Sequence, residues 1–144
     1  MTIVKQLLQN KGAEVWSISP EETVYQALQL MADKNIGALI VTEADKLAGI
    51  ISERDYARKV ILEKKSSMSV PVKEIMTSKV FCVSPDASIE ECMSLMTDKR
   101  VRHLPVLEDE RLVGLISIGD VVKAIISDKE FIIEQLHNYI VGGS

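Results

Sequence analysis

The sequence predicts an α+β fold in which two tandem β-α-β-β-α repeats pack with pseudo-two-fold symmetry and an additional helix stands at each end. The first observation is a motif that occurs twice, as GIISERD from Gly49 and as GLISIGD from Gly114. The same offset of 65 residues aligns Ser19-Pro20 with Ser84-Pro85 without a gap. The second observation is that strand and helix periodicities follow in the same order in both copies. A tandem duplication explains both observations.

The composition favours a globular protein and argues against several classes of function. The 144 residues carry a formal net charge of −4, and aromatic residues make up only 4%. An acidic balance gives no electrostatic reason to expect nucleic acid, and few aromatics argue against a base-stacking surface. The N-terminus lacks the pattern of a secretory signal, and no apolar run approaches the roughly 20 residues of a membrane helix. A cytoplasmic protein without membrane contact is therefore expected.

The first repeat follows a short amphipathic helix predicted over residues 2–10. Thr23 and Gln26 have the spacing of a capping box, and apolar residues follow at helical intervals. Two apolar runs around the acidic turn Glu43-Ala44-Asp45 predict a hairpin. The predicted elements are a strand over Val15–Ile18, a helix with Val24, Ala27, Leu28 and Met31 on its inner face, strands over Ala38–Val41 and Lys46–Ser52, and a helix over Glu53–Glu63.

The second repeat has the same predicted order with different residues. Ser88 and Glu91 form the equivalent capping box, ahead of an inner face made by Ile89, Cys92, Met93 and Met96. The predicted elements are a strand over Val80–Val83, the capped helix, strands over Leu104–Leu107 and Arg111–Ser117, a helix over Ile118–Ser127, and an extra amphipathic helix over Lys129–Val141. The expected domains are repeat one with the N-terminal helix in 1–65, repeat two in 66–128, and a C-terminal helix and tail in 129–144.

The repeated motif has a structural interpretation and a functional one. Ser-x-x-Asp ahead of a helix is itself a capping pattern, so Ser52 and Ser117 are expected to cap helices. However, a glycine inside a strand, here Gly49 and Gly114, often marks the close approach of a backbone or a ligand. A strand that leads into a helix N-terminus also offers N–H groups to a phosphate, and the aspartate can accept hydrogen bonds from a sugar diol. The two interpretations are compatible.

Two copies of Gly-x-x-Ser-x-x-Asp, each at the end of such a repeat, resemble the CBS-domain family, named after the regulatory domain of cystathionine β-synthase. Val72–Thr77 resembles the family's lead-in segment, and Arg102–Val106 resembles its second strand. The phrase Gly49–Tyr56 is typical of the stand-alone proteins made of two such domains. The resemblance extends from about Val4 to Val141.

The resemblance implies a sensor that binds an adenosyl ligand in the cleft between its repeats. AMP is the first expectation, with ATP, ADP, NAD or S-adenosylmethionine as alternatives and no catalytic cofactor. By resemblance, the aspartates hold the ribose hydroxyls, the serines contact the phosphate side, the start of the second strand lines the adenine pocket, and the lead-in segments, around Val4–Leu8 and Ile75–Thr77, close the pockets. The implied ligand-binding residues are Ser52, Asp55, Ile36, Gly37, Ala38, Met76 and Thr77, and Ser117, Asp120, Val101, Arg102 and His103.

The two predicted pockets differ in chemistry. Repeat one has Arg54 where repeat two has Gly119, and Ile40 where repeat two has Pro105. Arg54 is a candidate phosphate ligand, with a solvent-exposed ion pair to Glu53 or Glu22 as the alternative. The basic cluster 99–103 either complements a helix end or contacts phosphate through Arg102 or His103.

The remaining residues predict no other chemistry. His103 has no cysteine or second histidine near it in the sequence, so no metal site is expected. The two cysteines, Cys82 and Cys92, lack a metal or redox spacing and are expected to be small buried residues.

The leading functional hypothesis is a regulatory module that senses an adenine nucleotide and acts through a homodimer or a partner, such as a regulated enzyme or transporter. The alternative is a structural dimerisation module that binds no ligand. An enzyme is disfavoured, because neither of the two histidines belongs to a recognisable catalytic grouping.

Overall fold

The computed structural model contains both helices and strands and describes residues 2–12 and 14–142. The helices are α1 (Val4–Lys11), α2 (Val24–Lys34), α3 (Glu53–Tyr56), α4 (Val72–Ile75), α5 (Ile89–Lys99) and α6 (Ile118–His137). The strands are β1 (Ser17–Ile18), β2 (Ala38–Glu43), β3 (Lys46–Ser52), β4 (His103–Glu108) and β5 (Arg111–Ser117). The π-helical segments Ala57–Ile61 and Asn138–Gly142 continue α3 and α6.

The first repeat forms a three-stranded sheet in the order β1-β2-β3. β1 pairs with β2 in parallel, and β2 pairs with β3 in antiparallel register, with Ala38 opposite Ser52. The hairpin turns through Ala44 and Asp45, which have positive φ angles of 52° and 63°. Positive φ at both central residues matches the right-handed twist of the strands, so the predicted hairpin is confirmed.

The second repeat has a shorter sheet of only β4 and β5. The strand predicted over Val80–Val83 is wrong as a strand, because only Val83 makes a bridge to the following strand. In the first repeat, the Ile40 N–H donates to the Trp16 carbonyl at 3.2 Å. The equivalent position in the second repeat is Pro105. Proline has no N–H, so it cannot donate the hydrogen bond that Ile40 makes in the first repeat.

The helix starts agree with the predicted caps. Thr23 Oγ1 accepts the Gln26 N–H at 3.2 Å, and Gln26 Oε1 accepts the Thr23 N–H at 2.9 Å, which completes the capping box of α2. In α5, Ser88 Oγ accepts the Glu91 N–H at 3.1 Å. The predicted inner faces are also found, with Val24, Ala27 and Met31 buried in α2 and Ile89, Cys92 and Met96 buried in α5.

The closing helix and the extra C-terminal helix, predicted as separate elements, are one continuous helix of 20 residues, α6. Neither glycine nor proline lies between Gly119 and Gly142, so nothing in the backbone breaks the helix at Asp128. The Asp128 side chain bonds outside its own helix: its Oδ2 accepts the Thr2 N–H at 3.1 Å and its Oδ1 accepts the Thr2 hydroxyl at 2.7 Å. Of the tail predicted over residues 142–144, Gly142 ends the π-helical segment, and residues 143–144 lie outside the described residues.

The chain forms two compact units, and each unit contains the lead-in segment that precedes the other repeat in the sequence. The first unit contains Met1–Ala13, Cys82–Asp109 and Val113–Ser144, and the second contains Glu14–Phe81 and Glu110–Leu112. α1 therefore packs with repeat two, and the segment of α4 packs with repeat one. The core of the second unit includes Val24, Met31, Leu39, Val41, Ile51, Val60, Val72 and Ile75.

Candidate ligand-binding sites

The first candidate site lies where β3 leads into α3. Ser52 caps α3, because its Oγ accepts the Asp55 N–H at 3.2 Å. In return, Asp55 Oδ2 accepts the Ser52 N–H at 2.9 Å and the Ser52 hydroxyl at 3.0 Å. The capping interpretation of this motif is confirmed, and it leaves a half-buried carboxylate at the end of the strand.

The second candidate site repeats this arrangement where β5 leads into α6. Ser117 Oγ accepts the Asp120 N–H at 3.2 Å, and Asp120 Oδ2 accepts the Ser117 N–H at 2.8 Å. Asp120 Oδ1 accepts no hydrogen bond from the part of the chain that the structure describes. The two sites thus share a cap but differ in how many carboxylate oxygens are engaged.

A lysine reaches each aspartate, and the sequence interpretation missed both lysines. Lys59 Nζ lies 3.0 Å from Asp55 Oδ1 and donates to the Ile75 carbonyl at 2.9 Å. Lys59 follows Asp55 by four residues on the predicted helix, so the i,i+4 rule was sufficient to identify this pair.

Lys11 has the same role at the second site. Its Nζ lies 2.6 Å from Asp120 Oδ2 and donates to the Leu115 carbonyl at 2.9 Å. Met76 was a predicted ligand-binding residue, and the repeat offset of 65 places Lys11 at the equivalent position. The offset therefore contained the signal for Lys11.

The start of the second strand of each repeat lies beside the motif, where the sequence expected an adenine pocket. The Gly37 carbonyl accepts the Glu53 N–H at 3.1 Å, and the Arg102 carbonyl accepts the equivalent Ile118 N–H at 2.8 Å. Ala38 is buried opposite Ser52, whereas Arg102 is exposed. Ile36, Val101 and His103 are half-buried.

A cavity of about 300 Å³ opens beside the first site. Leu28, Met31, Ala32, Asn35, Ile36, Gly37 and Glu53 line it. It therefore includes Ile36 and Gly37 from the predicted adenine pocket, while Ser52 and Asp55 lie outside its lining. Four of the lining side chains are apolar, and Glu53 and Asn35 add a carboxylate and an amide.

Both motif glycines lie in close contact with other parts of the protein, with backbone at Gly49 and with a flexible side chain at Gly114. A Cβ atom on Gly49 would lie 2.7 Å from the Thr77 carbonyl oxygen and 3.0 Å from Met76 Sδ. A Cβ atom on Gly114 would lie 2.7 Å from Leu8 Cδ2. Thr77 and Leu8 belong to the predicted lead-in segments, so each segment packs directly onto its strand. The close approach that the glycines indicated is thus explained without a ligand.

The second site favours an ionised aspartate and a neutral histidine. Burial of Asp120 opposes its ionisation, but hydrogen bonds from Lys11 and Ser117 and the charge of Lys11 outweigh burial and lower its pKa below the ordinary 3.8. Burial lowers the pKa of His103 below 6.5, and Lys11 and Arg102 act in the same direction while Asp120 opposes them. The site therefore presents a fixed ion pair beside an uncharged imidazole at neutral pH.

The other singled-out residues have simpler surroundings. Arg54 is exposed, and none of the ion pairs found in the described part of the chain involves it. Cys92 is buried as predicted, whereas Cys82 is only half-buried. Burial, followed by the charges of Glu91 and Glu90, raises the pKa of Cys92 to about 11.

Among residues 2–12 and 14–142, no three histidine, cysteine, aspartate or glutamate side chains cluster so that they could hold a metal ion. None of the helices in these ranges combines the length and apolar character needed to cross a membrane.

The fold occurs twice along the chain, each repeat carries one Ser/Asp site, and the family model for the CBS domain matches residues 4–62 and 72–127. The chain belongs to the CBS-domain family, as a protein with a pair of these domains. The resemblance inferred from the sequence is confirmed.

Relatives match nearly the whole chain. The structure of a protein with CBS domains from Burkholderia ambifaria is 52% identical with a TM-score of 0.86, and the match covers 88% of this chain and 96% of that one. The mitochondrial CBS domain-containing protein CBSX3 of Arabidopsis thaliana is 40% identical over 152 positions, or 99% of this chain and 73% of that protein. A more distant CBS domain pair, 24% identical with a TM-score of 0.78, shares the fold over 89% of this chain and 98% of its own length.

Proposed function

We propose that this protein is a cytoplasmic regulatory module that binds an adenine nucleotide, AMP first among the candidates, and acts through a homodimer or a partner protein. The observation that carries the proposal is the arrangement of Asp, Ser and Lys at the end of β3 and again at the end of β5. A carboxylate accepts hydrogen bonds from a ribose diol, and helix N–H groups with a nearby ammonium group suit a phosphate.

The family supports this class of ligand. The distant CBS domain pair was solved in complex with 5′-methylthioadenosine and S-adenosyl-L-methionine. At that identity only the fold is shared, so those ligands are a property of that protein. They support an adenosyl group as the common feature, while the remainder of the ligand is decided by the residues of each chain.

Equivalent residues of the two repeats have the same proposed roles in ligand binding. Asp55 and Asp120 hold ribose hydroxyls, and Ser52 and Ser117 act on the phosphate side. Arg54 adds a phosphate contact in the first site, and Arg102 adds one in the second. The proposed adenine-contacting residues are Ile36, Gly37, Ala38, Val101 and His103, and the proposed lead-in contacts are Met76 and Thr77.

Thermal unfolding in the presence of AMP, ADP, ATP, NAD and S-adenosylmethionine tests the proposal. A ligand that binds only the folded protein stabilises it by RT ln(1 + [L]/Kd), or about 2.7 kcal/mol at 100 times Kd. We expect at least one adenosyl ligand to raise the midpoint, with guanosine monophosphate as the matched control. No shift with any of the five at millimolar concentration would overturn nucleotide binding.

A structural dimerisation module without a ligand is the second candidate, and one observation favours it. At the first site, both carboxylate oxygens of Asp55 are already engaged by Ser52 and Lys59. The capping box and the ion pair are sufficient to explain why an aspartate stands at position 55, without a ligand. The absence of any thermal shift, together with a stable dimer, would favour this alternative.

The proposed dimer rests on the exposed apolar side chains of α6. Ile118, Val122, Ile125, Ile132 and Leu136 follow one another at intervals of four, three, seven and four residues, and the charged Lys129 occupies the remaining position of the row. Val122 is 40% exposed, Ile132 51% and Leu136 56%. A row with this spacing is typical of a helix that packs against another helix, and a second copy of the chain supplies an identical row.

A further inference from the structure

The two sites obtain their cations from different parts of the chain. Repeat one places Lys59 on Asp55 from the helical segment that follows the motif, where repeat two has Ala124. Repeat two has Lys11 in its lead-in helix, where repeat one has the uncharged Met76. The position of positive charge is thus exchanged between the repeats. The second site would lack a cation on the Asp120 carboxylate if α1 did not supply Lys11.

Lys11 is held in place by the packing of α1, so its ammonium group is delivered to a fixed position. Val4 and Leu7 are buried, and Leu8 packs against Gly114. The Val4 N–H donates to the Ala87 carbonyl at 2.8 Å, and the Lys5 N–H donates to the Pro85 carbonyl at 2.9 Å. These contacts hold α1 independently of the Lys11 side chain, which remains 35% exposed.

The two lysines have equal spare capacity, because each ammonium group has two partners, but the carboxylate of the second site retains an acceptor that the first site has used. An ammonium group has three donors, and Lys11 uses two of them, on Asp120 Oδ2 and the Leu115 carbonyl. Asp120 Oδ1 has no hydrogen-bond donor among the described residues. At the first site, in contrast, the Ser52 hydroxyl donates to Asp55, and both Asp55 oxygens are engaged.

We propose that Lys11 is a ligand-contacting residue that determines specificity: the ammonium group that α1 holds on Asp120 also binds the phosphate of the nucleotide at this site. This inference rests on the proposed nucleotide-binding function. It adds the residue that makes the second site prefer a phosphorylated ligand. Asp120 Oδ1 accepts from the ribose, and the third Lys11 donor binds the phosphate. The second site therefore discriminates a nucleoside phosphate from its neutral nucleoside through a residue that lies outside the repeated motif.

The test compares AMP with adenosine, which differ only by the phosphate. Calorimetric titrations are made with the wild-type chain and Lys11→Met, and again with both in an Asp55→Asn background that weakens the first site. Lys11→Met should weaken AMP binding about tenfold, since a charged hydrogen bond is lost, and leave adenosine binding within about twofold. Lys11→Arg should restore most AMP affinity. Lys5→Met, an exposed lysine on the same helix, is the matched control.

The outcomes separate this inference from the proposed function. If wild-type protein binds neither AMP nor adenosine, the role of Lys11 is overturned, and nucleotide binding itself is overturned only if ADP, ATP, NAD and S-adenosylmethionine also fail to bind. If both ligands bind, but Lys11→Met weakens them equally or weakens neither, only the role of Lys11 is overturned. A selective loss of AMP affinity that decreases at high salt supports a partly exposed charge contact. Circular dichroism confirms that each variant is folded before titration.

Discussion

Gly49 lies so close to Thr77 that a Cβ atom on the glycine would be 2.7 Å from the Thr77 carbonyl oxygen. The neighbouring Ile50 exchanges two backbone hydrogen bonds with Thr77, at 3.0 and 2.8 Å. These bonds attach the lead-in segment of the first site to β3. Because the close atom belongs to the backbone, it cannot move aside as the end of a side chain could.

Gly49→Ala should therefore lower the free energy of unfolding by about 1–3 kcal/mol, which is typical of overpacking. Gly119→Ala is the matched control, because a Cβ atom there meets only Ser117 Oγ at 3.6 Å. Gly119 is the second residue of α6, so alanine there should raise stability by at most the roughly 0.5–1 kcal/mol that applies to a helix interior. Urea denaturation measures both variants, and an unchanged midpoint for Gly49→Ala would contradict the close approach.

The aspartates allow capping to be separated from ligand binding. If Asp55 and Asp120 hold ribose hydroxyls, Asp120→Ala and Asp55→Ala should each weaken ligand binding at their own site by about ten- to a hundredfold, or roughly 1.5–3 kcal/mol. Each substitution should also lower stability by about 0.5–2 kcal/mol, because the carboxylate no longer accepts the serine N–H that completes the capping box, while the serine cap itself remains. Calorimetry and denaturation are measured on the same variants. A loss of stability with unchanged affinity would reduce both aspartates to structural caps.

Arg54 should influence ligands according to their phosphate charge. It is exposed at the first site, where its guanidinium group offers a fork of donors to phosphate oxygens. Arg54→Gly makes the first repeat like the second at this position, and ATP and NAD affinities should then fall more than AMP affinity. Parallel titrations with the three ligands measure the difference. An equal loss for all three would show that Arg54 does not act through phosphate.

The lowered pKa of His103 predicts a stability that depends on pH. The folded protein resists protonation of His103, whereas the unfolded chain takes up a proton near pH 6.5. The free energy of unfolding should therefore decrease as the pH falls from 7 through 6.5. Asp120 adds a further decrease below pH 3.8, where the unfolded carboxylate would be protonated first and the folded one is protonated last. His103→Asn should flatten the profile between pH 7 and 5 but retain the acid limb.

The apolar row of α6 predicts the oligomeric state. Light scattering should give the mass of a dimer of 16.0 kDa chains at micromolar concentration. Leu136→Glu should shift the protein toward monomer, because a buried unpaired charge is costly at a helix interface. Lys123→Glu, on an exposed part of the same helix away from the row, should remain dimeric. A wild-type monomer would refute the proposed dimer.

Local sequence patterns were sufficient for the repeats and their caps. The Ser52–Asp55 and Ser117–Asp120 hydrogen bonds join residues three positions apart, so the motif contains both partners. The capping box at Thr23 and the inner face of α2 are local in the same sense. Local rules failed at the strand predicted over residues 80–83, because its pairing depended on a donor that Pro105 lacks in a distant strand. They also did not predict that one unbroken helix would replace two.

The sequence by itself determined the duplication, the CBS-domain family and the pair of Ser/Asp motifs, because each depends on residues at fixed short spacing or at one constant offset. Only the tertiary structure decided that α1 packs with the second repeat and the α4 segment with the first. It also decided that Lys11 reaches Asp120 across 109 residues of chain. The physical reason is that such contacts result from the burial of Val4, Leu7 and Leu8, and burial of apolar surface has no direction or spacing along the sequence.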